Sequence, residues 1–390
     1  MISANTPLVN LSEQSLMTAA QYQTGLSDWG NSDFREGLSR LLDACQYEAN
    51  LSLAGLQWLQ QECIQSLSNR LYIQEALKKD PEILQVPIRR PLILATLPRS
   101  GSTFLHRLLA QDPGGRALLH WELQQPAPPP QVKTYATDSR IAQGVEAARK
   151  EQALFSGSKT MHTVRATIPE ECCYLLKNSF SNFDATFWYH IPSYYQWLCE
   201  SDLTNTYRYY KKQLQILTRH FPGEPFVLKE PGHLLGLDAI LTVFPDACLV
   251  QVHRSPYQQI ASLCSLQGKT QNALRHTPLT PHEIGQIVLN RWLIPLKKAM
   301  QARSEADPSH FYDIYYEDLL VDPIATVSQL YNYFGFNLSE EAVTQMQVWL
   351  DNNPQDKHGK HQYTLKQFGL SPELIDEKMS DYMQVHHSNL

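Results

Sequence analysis

Several things are missing from this chain, and each absence narrows what it does. Lysine and arginine number 33 against 39 aspartates and glutamates, giving a formal charge of −6 and a pI near 6.2. The basic surplus of a general nucleic-acid binder is absent, so any anion site must be local. The seven cysteines (Cys45, Cys63, Cys172, Cys173, Cys199, Cys248, Cys264) form no C-x-x-C pair and no paired framework. They read as small core residues of a reducing compartment. No run approaches the ~18 uninterrupted apolar residues of a membrane span. The start, "MISANTPLVNLSEQ", has neither the basic nor the apolar region of a secretory signal. The expectation is a soluble, cytoplasmic protein with no nucleic-acid partner and no transmembrane segment; oligomeric state is not legible.

What is present is ordinary for an enzyme: 390 residues, 43% hydrophobic and 18% charged, ample for a large core. Residues 1–88 read as a helical region packed on the rest. Leu38, Leu41, Leu42 and Cys45, then Leu53, Leu56 and Leu59, recur at helical spacing, and Pro81 and Pro87 mark the end. Residues 89–390 read as an α/β domain. "PLILATL", "EPFVLKEP", "DACLVQVHR" and "HFYDIYYEDL" are strand candidates separated by helical patterns, as in a parallel sheet flanked by helices. "QQPAPPP" is a connection that no helix interior tolerates. "FWYHIPSYYQW" is read chiefly as core, with an acceptor pocket as the alternative.

The chemistry concentrates where strands end. Arg99-Ser100-Gly101-Ser102-Thr103 lies between the first strand and the helical run "FLHRLL". A helix start offers free amides and partial positive charge, Gly101 admits close backbone approach, and Arg99 adds a full charge. The bland alternative is a turn with serine as helix cap. The G-x-x-x-x-G-K-[ST] loop of ATP and GTP enzymes is missing, and no magnesium site is implied. Further on, "CLVQVHRSPYQQIASLCSL" places Arg254 at a strand end and Ser262 eight residues later, within the helix that Pro256 opens. A guanidinium and a hydroxyl from different elements can grip one anion, although a lone strand-end arginine is commonly a salt-bridged surface residue. In a parallel sheet both turns face the same way, where ligands bind.

"LPRSGSTFLHRLLAQDP" together with "FPDACLVQVHRSPYQQIASLCSL" closely resembles the sulfotransferase family, which uses 3′-phosphoadenosine-5′-phosphosulfate (PAPS) and releases adenosine 3′,5′-bisphosphate (PAP). "WELQQPAPPP", "IPEECCYLL", "FVLKEPGHLLGLDAILTVFPDA", "YYEDLLVDP" and "HQYTLKQFGL" extend the resemblance over roughly residues 90 to 370, most like the bacterial branch acting on small molecules, lipids or polyketides. The resemblance implies a P-loop-like α/β fold and a donor 5′-phosphosulfate held by Arg99, Ser100, Gly101, Ser102, Thr103 and Phe104. It implies a 3′-phosphate held by Arg254 and Ser262, with Lys360 in a closing basic loop beside Lys357 and His361. The acceptor is expected to be a hydroxyl-bearing small molecule or lipid, and no metal is expected.

Sulfuryl transfer to a hydroxyl needs a base, cations on the developing charge and in-line alignment. The resemblance makes Glu122 the first candidate base, following "RALLH", which reads as a short strand ending beside the first. His233 in "LKEPGHLL" is the rival, since imidazole titrates near neutrality. Lys229 is the candidate for charge stabilisation, as is Arg99. Related bacterial sequences read K-S-P where this chain has Lys229-Glu230-Pro231, so an added carboxylate alters the lysine's surroundings. His162, Arg165, Glu170 and Glu171 are candidates for acceptor recognition, with a solvated helix start as the alternative. The competing functions are another P-loop-type phosphotransferase and a nucleotide-sensing or scaffold protein on the same fold.

Overall fold

Leu92–Leu94, Phe226–Lys229 and Cys248–His253 are apolar-rich runs, and each is buried along its whole length. A strand covered on both faces needs this composition, which is why interior parallel strands lose the polar alternation of exposed ones. In the computed structural model, which describes residues 9–155, 165–221, 225–353 and 363–386, these runs are β1, β3 and β4 of a wholly parallel five-stranded sheet. Arg116–Ala117 (β2) and Phe311–Tyr315 (β5) are its edges, in the order β2-β3-β1-β4-β5. Leu94, the last residue of β1, stands opposite Lys229, the last of β3, and opposite Val250 of β4, which runs on to His253. Because the strands are parallel, their carboxyl ends share one rim.

The strand expected at "RALLH" shrinks to two residues and does not lie beside β1. It pairs with β3, which is inserted between them. The physical reason is composition: β3, buried throughout and apolar up to its last residue, Lys229, suits the sheet interior, whereas the partly exposed Arg116 suits an edge. This displacement carries Glu122 away from the centre of the rim.

Side chains alternate across the sheet. Ile93, Leu228 and Leu249 join one hydrophobic cluster, and Leu92, Leu94, Val227 and Val250 join another on the opposite face. Three helices, α1 (Glu13–Thr24), α2 (Phe34–Tyr47) and α3 (Leu53–Lys79), supply Leu16, Leu38, Leu59 and Leu67 to the first cluster. The N-terminal helices thus share the core of the sheet. Leu53, expected on the inward face, is exposed because it opens α3 at its capped end. Ser52 caps that helix, and its N–H and hydroxyl both donate to the Leu274 carbonyl (2.9 and 3.0 Å). A Cβ on Gly55 would lie 2.1 Å from that same oxygen, so only glycine permits this contact.

Candidate active site

The turn after β1 is built on two left-handed residues, Arg99 (φ 66°) and Gly101 (φ 90°). At Gly101 a Cβ would meet the Tyr316 ring at 2.6 Å. Ser102–Leu109 (α4) then begins with Gly101 as its cap, which has no side chain to occupy the leading amides. The first helical bond is Leu105 N–H to Gly101 carbonyl (3.1 Å), so the amides before it are presented to the rim. Arg99 tolerates a conformation that commonly costs a non-glycine residue of the order of 1 kcal/mol. Ser100 and Ser102 are buried, and the Phe104 ring packs against Trp349 (5.6 Å).

The structure brings the second expected anion site onto the first. Arg254 donates to the Arg99 carbonyl (3.0 Å) and to Gln258 (2.9 Å), and its guanidinium lies 4.2 Å from the Tyr316 ring centroid. Among the described residues its buried Nε has no hydrogen-bond partner. Arg99 Nε donates to Ser262 Oγ (3.2 Å). Ser262, expected to serve Arg254, is therefore shared with Arg99. Burial, then the like charge of Arg254, hold the Arg99 pKa below the usual guanidinium value. Two partly desolvated cations in one corner are relieved by an anion, and the open helix start faces the same way. These residues fit a phosphate-bearing ligand.

Beside this corner, Lys229 at the end of β3 donates from its ammonium to Thr103 Oγ1 (3.1 Å) and forms a short ion pair with Glu171 Oε1. Lys229 is buried, whereas the Glu171 side chain keeps 23% exposure. The "IPEE" segment reaches Lys229 because it is hydrogen-bonded into the sheet's end: Glu170 N–H donates to the Leu118 carbonyl (3.1 Å) and Cys172 N–H to the Lys229 carbonyl (2.9 Å). A cavity of about 1090 Å³, including its open mouth, begins at Pro98, Arg99 and Thr103. It passes Lys229, Glu170, Glu171 and Glu230 and continues between Phe155, Tyr174, Phe187, Trp188 and Trp292.

Both expected bases lie off this cavity's lining. Glu122 is fully buried on α5 (His120–Gln124), and its carboxylate is already committed. Oε1 accepts from Arg116 (2.7 Å), while Oε2 accepts from the Leu119 N–H (3.0 Å) and the Tyr135 hydroxyl (2.8 Å). Those three bonds anchor the start of α5 to the edge strand and to Tyr135. His233 is also fully buried, with Nδ1 against the Tyr207 hydroxyl (2.9 Å). Burial pushes its pKa down to about 3. Glu170 and Glu171, expected only to recognise acceptor, line the cavity with Lys229, as do Glu151, Asp184 and Glu230. The sequence signal was the acidic pair after Pro169; its proximity to Lys229, 58 residues away, was not readable. Arg165 is exposed. His162, Lys357, Lys360 and His361 lie outside the described residues. The aromatic stretch divides: Phe187 and Trp188 line the cavity, while Tyr189, Ile191 and Tyr194 are core.

A parallel α/β sheet whose carboxyl rim carries two strand-to-helix turns and a deep cavity is an architecture that binds ligands at its strand ends. The chain belongs to the sulfotransferase family, whose profile matches residues 91–340. Sulfotransferase STF1 from Mycobacterium tuberculosis H37Rv is 33% identical, with a TM-score of 0.85 over 95% of this chain and 98% of that one. STF9 from Mycobacterium avium is 29% identical, with a TM-score of 0.89 over 98% of each chain. A curated relative, the omega-hydroxy-beta-dihydromenaquinone-9 sulfotransferase Stf3 of Mycobacterium bovis, is 25% identical over 162 residues, 42% of either chain. The match therefore spans less than half of that relative's length. Among the described residues, no helix is long and apolar enough to cross a membrane.

Proposed function

We propose that this protein transfers a sulfuryl group from PAPS to the hydroxyl of an uncharged, largely apolar acceptor. The observation that carries the reading is the Lys229 ammonium, which joins the first turn of α4 through Thr103 to the cavity carboxylate Glu171. The donor supplies an activated sulfuryl group on a phosphate leaving group, so no covalent enzyme intermediate is needed. Arg99, Arg254, Ser262 and the open amides of α4 hold the donor's anionic groups. Glu171 takes the proton of the acceptor hydroxyl as it attacks, since among the described residues it combines partial exposure with contact to Lys229. Lys229 then offsets the negative charge gathering beside Thr103.

The acceptor class rests on the cavity walls. Phe155, Tyr174, Phe187, Trp188 and Trp292 surround its inner part, where an apolar body is desolvated favourably. The quinone-derived lipid alcohol named for the Stf3 relative has this character. Titration calorimetry with PAP and with ATP plus Mg²⁺ tests the donor. Micromolar PAP binding without metal is expected; a preference for Mg-ATP would reject the reading. Glu171→Gln is expected to bind PAP normally and to lose turnover by about 10²-fold or more.

A further inference from the structure

We infer that Glu230 is a specificity-determining residue whose Oε2 binds a second, uncharged oxygen of the acceptor, next to the hydroxyl that reacts. The inference rests on the sulfotransferase reading above and names what the acceptor must carry.

Glu230 follows Lys229 at the rim and lines the cavity, yet only 4% of it is exposed. Its Oε1 accepts the Gly232 N–H (2.9 Å). Its Oε2 is buried and has no hydrogen-bond partner among the described residues. A carboxyl oxygen of Glu230, one of Glu171 and Cys173 Sγ all lie within 4.8 Å of one another. The cations nearby are engaged elsewhere. Lys229 serves Glu171 and Thr103, and Arg291 donates to Thr186 Oγ1 (2.7 Å) and the Phe183 carbonyl (3.2 Å). Asp184 is paired with Lys177 (3.4 Å) and accepts from Trp188 Nε1 (2.7 Å).

Burial, then the negative charges of Glu171 and Asp184, raise the Glu230 pKa well above the carboxylate range. These influences favour the neutral carboxylic acid over the carboxylate. Because Oε1 already accepts a backbone N–H, the proton belongs on Oε2, which becomes a donor in need of a lone pair. Burying such a donor unmatched is unfavourable, so a ligand that supplies the lone pair is selected over one that does not. Hydrogen bonds of about 2.7 Å from two carboxyl oxygens this close reach a vicinal pair of ligand oxygens. One is the reacting hydroxyl on Glu171; its neighbour is a hydroxyl, ether or carbonyl on Glu230. An anionic head is repelled by Glu171 and Asp184. A cationic head finds both of those carboxylates already matched by ammonium groups.

The test compares dodecan-1-ol, dodecane-1,2-diol and 2-aminododecan-1-ol as acceptors with ³⁵S-labelled donor. Wild-type enzyme is expected to favour the diol over the monoalcohol in kcat/KM by about tenfold, the scale of one well-placed hydrogen bond. Glu230→Leu should erase that preference, Glu230→Gln should retain most of it, and both should bind PAP within about twofold of wild type. Infrared difference spectra of wild type against Glu230→Gln at neutral pH should show a protonated carboxyl band. Equal use of diol and monoalcohol, a preference that survives Glu230→Leu, a preference for the amino alcohol, transfer to none of the three, or absence of that band would each overturn the inference. Failure of wild type to bind PAP would instead reject the donor reading. Turnover retained in Glu171→Gln with the diol preference intact would reject only the base.

Discussion

Lys229 Nζ lies 3.1 Å from Thr103 Oγ1 across 126 residues of sequence, tying the end of β3 to the first turn of α4. The contact places one buried positive charge between the turn proposed to receive the donor and the carboxylate proposed to face the acceptor. Lys229→Met is therefore expected to lower kcat by about 10²–10³-fold, the range for removing a preorganised charge from a transition state. PAP affinity should change far less. Steady-state kinetics beside calorimetry separate the two, and a variant weak in binding but normal in kcat would contradict the assignment.

Arg254 makes its contacts to a backbone carbonyl, a glutamine and a ring, none of which neutralises it. Arg254→Ala is expected to weaken PAP binding by over about tenfold, as befits a lost charge-assisted bond. Ser262→Ala should weaken it less and should also loosen Arg99, whose Nε the serine accepts. Unchanged PAP affinity in Arg254→Ala would remove that residue from the donor site.

The contacts of Glu122 predict a role in the fold. Replacing it with glutamine breaks a buried ion pair with Arg116 and leaves that guanidinium desolvated without its counter-charge. A stability loss of about 3 kcal/mol is expected, read as a lowered urea midpoint, while kcat of the folded fraction stays near wild type. Lost turnover at unchanged stability would instead return Glu122 to the chemistry.

Three buried histidines give stability a definite pH dependence. Burial first, then nearby positive charge for two of them, holds His106 and His386 down to about 4; burial alone holds His233 down to about 3. Each is neutral in the fold and protonates more readily unfolded, so the unfolded state takes up protons as pH falls below the ordinary histidine value near 6.5. Their contribution is complete above that pH and is lost progressively toward pH 4, at up to about 1.4 kcal/mol per unit for each group. Melting temperature should fall steadily from pH 7 to pH 5. A flat profile would show that these rings are not held neutral.

The strands were legible because interior parallel strands write themselves as apolar runs, and the two anion-binding turns because each combines a strand exit, a basic residue and a helix start. The proposed base, Glu171, was not legible. Glu122 sits at the family-like spacing, but its place depends on β3 entering between β1 and β2, a pairing that no local pattern encodes. Glu171 meets Lys229 only through hydrogen bonds that draw the "IPEE" segment to the sheet's end. The side chain of His233 meets the Tyr207 hydroxyl of the helix Thr204–Thr218, a contact that nothing in the local sequence announces.

The N-terminal helices, which carry no chemical motif, reach the wall of the cavity. Trp58 on α3 meets Phe155 edge-on (5.4 Å, 89°) and Trp188 at 5.9 Å, and both of those rings line the cavity. One turn further on, Glu62 pairs with Lys177 (2.9 Å), whose ammonium lies 5.2 Å from the Trp188 ring centroid. The apolar wall thus has its outer support in α3, far from Arg99 and Arg254. Trp58→Ala removes that backing and lets Phe155 and Trp188 shift, so the acceptor loses aromatic contact while the donor site keeps its geometry. An increase of about tenfold in KM for the long-chain alcohols is expected, with PAP affinity unchanged. Equal weakening of both would mean that the helix supports the whole fold and not the acceptor wall.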